Sequence, residues 1–217
     1  MPEMNRFMPT YVAFRFKRSW TLSGLCVALS IMASARSHAG PDAASSCDPD
    51  RAIVDRAMQL RNAGKISAAE DLLKPILAKN GNSIGANYVL ATIELSPGGQ
   101  RGGNGLSRLL RTEKLVEQAS PQCARMLGWY SLYNTIGAQY YRNGDLDRSE
   151  IYLLKGYQHI GDMFDSTKKL LLDNLGLLYF SKGNLQKSVM FYEQAQRAGS
   201  KDAAKRITAI RRIENSK

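Results

Sequence analysis

The chain has 217 residues, 44% of them hydrophobic, enough for one ordinary core, so a single folded domain is expected. Its formal charge is +11, of which residues 1–39 supply +4, from Arg6, Arg15, Lys17, Arg18 and Arg36 against Glu3. The remaining +7 is spread along many segments, with only Lys205, Arg206, Arg211 and Arg212 forming a basic group, which argues against a nucleic-acid partner.

The N-terminus reads as a targeting signal. Arg15, Lys17 and Arg18 precede an apolar run from Leu22 to Ala33, and Ser37-His38-Ala39 puts small residues at both positions that a signal peptidase reads. Residues 1–39 are therefore expected to be a signal peptide cleaved after Ala39, with Ala35 as the second choice, and the mature chain to be periplasmic or secreted. The apolar run is shorter than the roughly 20 residues that span a bilayer. An uncleaved anchor is the alternative, and it leaves membrane contact through this segment open. Cys26 follows Leu25 inside the run and Cys47 lies far beyond it, so neither suits lipid attachment. Residues 40–47 form a small, polar linker, and 48–217 the folded domain.

In an exported chain Cys47 and Cys123, 76 positions apart, can pair as a disulfide. The competing reading makes Cys123 a small buried residue at a helix start.

The domain opens with Asp48 as a cap before Pro49, followed by a helix with Ile53, Ala57 and Leu60 inward. Gly64 turns the chain, and Ala69, Leu72, Leu73 and Ile76 form a returning face that Pro75 should bend or shorten. Asn80-Gly81-Asn82 signals a turn into a helix from Ile84 to Leu95, on which Tyr88, Ala91 and Leu95 share a face. Ser96 to Gly105 holds five glycines around Gln100 and Arg101, but lacks the Gly-Lys-Ser/Thr ending and preceding strand of a phosphate loop. It reads as a flexible insertion and a secondary contact candidate. Leu106 to Gln118 completes a hairpin, and Ser120-Pro121 starts one long helix, Gln122 to Arg142, with Trp129 assigned to the core or to packing between hairpins. Gly144-Asp145 turns into Leu146 to His159; Thr167 to Lys182 and Leu185 to Ala198 form the next hairpin. Ser200 or Asp202 caps a last helix through Ile213 with Ala203, Ile207 and Ile210 inward.

Two hairpins share an order of residue types. Leu175, Gly176 and Tyr179 lie on one helix face, Gly183 makes the turn, and Ser188, Tyr192 and Ala195 lie on the returning face. Ile136, Gly137, Tyr140, Gly144, Ser149 and Leu153 repeat the order 39 positions earlier, and Ala57, Leu60, Gly64, Ala69, Leu73 and Ile76 give a weaker copy. The pattern resembles the tetratricopeptide repeat, with Sel1-like repeats as a near relation. Its usual period of about 34 leaves roughly five extra residues, assigned to Gly161–Lys168.

The resemblance implies an all-α fold: a right-handed superhelical solenoid of antiparallel helix pairs, four hairpins over about 48–199 and a C-terminal capping helix. It implies a protein-binding adaptor or assembly factor of the cell envelope, whose concave groove takes a partner peptide or helix. Carried over by position, the groove residues are Met58 and Arg61, then Asn134, Ala138, Tyr141 and Arg142, then Asp173, Leu177 and Phe180. The Lys and Asn positions of the carboxylate-clamp variety are not matched. Catalysis is not expected, because the histidines are His38 and His159 alone and no common catalytic motif occurs; no metal or cofactor is implied. Two readings from other classes stand beside the adaptor: an exported enzyme with Sel1-like repeats, and an acidic-polymer or membrane-surface binder acting through the basic C-terminal helix.

Overall fold

A computed structural model describes residues 46–96 and 104–216. The signal, its cleavage points, most of the linker and the centre of the Gly-rich loop lie outside the described residues. Among the described residues there are ten α-helices and no strand. They are α1 (Arg51–Asn62), α2 (Ile66–Lys79), α3 (Ile84–Glu94), α4 (Asn104–Gln118), α5 (Pro121–Met126), α6 (Ser131–Arg142), α7 (Leu146–Gln158), α8 (Asp165–Ser181), α9 (Leu185–Arg197) and α10 (Ala203–Asn215). A 3₁₀ turn, Ile160–Asp162, and the extended Met163 take up extra residues before α8.

The helices pack in sequence-adjacent pairs, α1 with α2, α3 with α4, α6 with α7 and α8 with α9, and α10 lies against α9. Small residues set the approach inside the pairs. A Cβ at Gly176 would stand 2.7 Å from the Tyr192 ring, and one at Gly137 would stand 2.6 Å from Leu153 Cγ. Side-chain bonds then tie the second pair to the third and the third to the fourth. Tyr88 and Thr135 hydroxyls meet at 3.0 Å between α3 and α6, Asn174 donates to Asn134 at 2.8 Å between α8 and α6, and Tyr157 donates to Gln194 at 2.9 Å between α7 and α9.

The core falls into two clusters. One, built on Val54, Ala57, Leu73, Ile76, Val89 and Ile93, joins α1, α2 and α3. The other runs from Ala91 and Leu109 through Ile136, Leu153, Leu175 and Tyr192 to Ile207 and Ile210. Tyr88 packs against both.

Several local expectations are corrected. The single helix expected over Gln122–Arg142 is two, α5 and α6, because Gly128 adopts φ +67, outside helical space, and the Phe164 ring fills the place of its missing side chain. Pro75 does not shorten α2, which runs on to Lys79; Pro75 is exposed, so water can satisfy the carbonyl that lacks its partner. Asp48 does not cap α1 as its boundary residue: Asp50 holds that place, while Asp48 is buried and its Oδ1 accepts from Asp50 N at 3.2 Å. Asp202 stands at the N-terminus of α10 without a side-chain cap bond, and Ser200 bonds Asp173 instead.

Candidate functional site

At the seam between the two core clusters lies a cavity of about 270 Å³. There α4 packs against α6 more than α3 does. The Leu127–Tyr130 connection intervenes, and the two apolar clusters do not merge there. Val54, Met58, Ile84 and Tyr88 approach from α1 and α3, and Val116 and Leu132 from α4 and α6. Trp129 and Phe164, from the two connections, complete the wall. Phe164 is 54% exposed.

The charges lining the cavity are already satisfied. Arg51 Nε donates to Asp55 Oδ2 at 2.8 Å and its Nη1 donates to the Leu127 carbonyl at 3.2 Å. The start of α1 is thereby held against the connection that forms the cavity wall. The disulfide between Cys47 and Cys123, with Cα atoms 5.5 Å apart, ties the same two regions just upstream. Asp48 follows Cys47 directly in the chain. Its Oδ2 is buried without a hydrogen-bond partner and sits where a Cβ on Gly85 would come within 2.9 Å. Burial above all raises its carboxyl from the ordinary 3.8, against the Asp50 amide and Arg51, which lower it.

Of the nine residues assigned to a groove, the structure brings Met58 alone to this cavity. Arg61 donates to Asn62 at 2.9 Å, and Arg142 donates to Gln139 at 2.7 Å. Asn134 and Tyr141 tie α6 to α8, Tyr141 through a 2.7 Å contact with the Ser181 hydroxyl. Ala138 and Leu177 are half-buried on the same helices, and Phe180 is exposed. Asp173 turns toward α10, accepting from Ser200 Oγ at 2.9 Å; burial raises its carboxyl, with Ser200 and Arg206 opposing. Trp129 and Phe164 were not assigned to a site from sequence. No pattern in the sequence marked them, since a glycine such as Gly128 before Trp129 is tolerated inside a helix.

Between α4 and α7, Lys155 joins Glu113 and Glu117 at 2.7 and 2.5 Å, and Tyr152 donates to Glu113 at 3.0 Å. Burial and the Glu113 bond push the Tyr152 hydroxyl up to about 12. Lys182 likewise joins Asp147 and Glu150, and Tyr179 donates to Glu150 at 2.7 Å. These partners face one another across helix pairs and hold the pairs together.

Among the described residues no group of three or more His, Cys, Asp or Glu side chains is placed to hold a metal ion, and no helix is long and apolar enough to cross a membrane. Comparison with family models, with curated proteins and with solved structures gives no match for this chain.

Proposed function

We propose that this chain is an exported tetratricopeptide-type adaptor whose hairpins stack into a right-handed superhelix, closed at its C-terminus by α10, and whose first-helix face binds a partner protein in the cell envelope. The observation that carries the reading is the pairing of a small residue with a large one at equivalent places in two hairpins, Gly137 with Leu153 and Gly176 with Tyr192. Equivalent contacts make equivalent pairs. Such pairs stacked through the same faces produce a curved array with one continuous inner surface. The rungs Tyr88–Thr135, Asn134–Asn174 and Tyr141–Ser181 run between successive first helices, which supports that stacking. Tyr141, Phe180, Leu177 and Arg142 then offer the aromatic, aliphatic and guanidinium groups that dominate interface energies.

The test is capture from an envelope fraction with the tagged full chain and with a Tyr141→Ala, Phe180→Ala double variant of equal helicity. A partner retained by the first and lost by the second supports the reading. Equal capture by both removes the assigned face.

A further inference from the structure

We propose that the cavity at the seam of the two cores is an anchor pocket for one bulky, uncharged side chain presented by a partner polypeptide; the partner's being a protein rests on the adaptor reading above. Size is the first argument. At about 270 Å³ the space is smaller than the roughly 300–1,000 Å³ sites that enclose a whole small molecule. It matches a single aromatic or branched aliphatic group. Lining is the second: Val54, Met58, Val116 and Leu132 supply a floor drawn from both core clusters, so an occupant joins apolar surfaces that the fold leaves apart.

Charge decides which side chains fit. Arg51 is held by Asp55 and by the Leu127 carbonyl, so an entering ammonium or carboxylate would lose its water and find no uncompensated partner. An apolar group pays no such penalty. The hydroxyls of Ser131, Ser166 and Thr167, which also line the space, have no hydrogen-bond partner among the described residues. They suit the amide groups of the main chain that carries the anchor, which a hydrocarbon ligand would lack. Burying such an anchor should make its truncation to alanine cost about 10- to 100-fold in affinity.

Trp129 in the wall is a built-in reporter, and Trp20 is the other tryptophan of the chain. The experiment uses the full chain carrying Trp20→Phe and follows Trp129 emission while N-acetyl-phenylalaninamide, N-acetyl-alaninamide or N-acetyl-glutamate amide is added. The expected result is a saturable shift with the phenylalanine probe in the millimolar range and none with the other two. Met58→Ala should weaken the response several-fold. Ser131→Phe, or Thr167→Tyr from the facing wall should the first variant lose its helicity, should abolish it. An unsaturable or absent shift with the phenylalanine probe overturns the proposal. So does an equal response to the glutamate probe, or a response unchanged in the filling variant. The titration needs no partner, so its failure beside a successful capture removes the pocket alone, and its success beside a failed capture leaves the pocket and removes the adaptor.

Discussion

Ser149 and Ser188 occupy the same place in successive hairpins, both fully buried, yet their hydroxyls have opposite fates. Ser188 Oγ donates to the Gly176 carbonyl at 2.7 Å, whereas Ser149 Oγ has no partner. Replacing each by alanine therefore probes one hydrogen bond against one orphan in matched surroundings. Ser188→Ala forfeits a buried neutral bond, about 1 kcal/mol. Ser149→Ala removes a hydroxyl that was desolvated without compensation, recovering about 1 kcal/mol. Both changes gain the same small helix-propensity benefit, which cancels in the comparison. The two variants should thus differ by about 2 kcal/mol, or about 4–8 °C in melting temperature at this chain length, with Ser149→Ala the more stable. Denaturant titrations followed by circular dichroism, with unchanged slopes, give the difference directly. Equal stabilities, or Ser149→Ala the weaker of the two, would refute the assignment of the orphan and with it the claim that the two hairpins solve the same contact differently.

The Cys47–Cys123 bond closes a 76-residue separation, so reduction or a Cys123→Ser change should lower stability by up to about 4.5 kcal/mol on the chain-entropy estimate; thiol labelling of the native chain should find neither cysteine free. Gly128→Ala should cost at least about 1 kcal/mol, since its φ of +67 disfavours a side chain and the Phe164 ring must move; a melting temperature equal to the parent's would contradict this. Burial holds the Asp48 carboxyl above 3.8, so the folded chain keeps that proton longer than the unfolded one, and the penalty is complete once pH exceeds the folded value. Asp48→Asn should therefore raise the melting temperature at pH 7, with a gain that shrinks toward about pH 4. Glu150 behaves in the opposite sense: bonds from Lys182 and Tyr179 lower its carboxyl from 4.5, so its stabilisation is present above that value and is lost as pH falls through the folded one. Glu150→Gln should remove that acid-side loss, measured as a flatter dependence of stability on pH.

The elements were legible because their information is local. Glycine turns at Gly64, Gly144 and Gly183 and apolar faces at helical spacing need nothing beyond neighbouring residues, and they placed the paired helices and the last helix within a few positions, except the start of α6. Small residues opposite large ones, Gly176 and Tyr192 above all, could also be read, since close approach of two helices demands an absent side chain. The break at Gly128 was not legible, because glycine is tolerated inside a helix and only the arrival of Phe164 from 36 positions away favours the left-handed turn there. The same holds for the cavity. It arises where two apolar clusters fail to merge, and no segment of sequence records a gap between surfaces contributed by five helices and two connections. Sequence by itself determined where most helices begin and turn and which faces they bury, because those follow from propensity and period; the start of α6 and Ile53, expected inward but exposed, are the exceptions. Only the tertiary structure decided which polar side chains find partners, leaving Ser149 and Asp48 without full bonding, and where space remains, because both depend on atoms brought together across the chain.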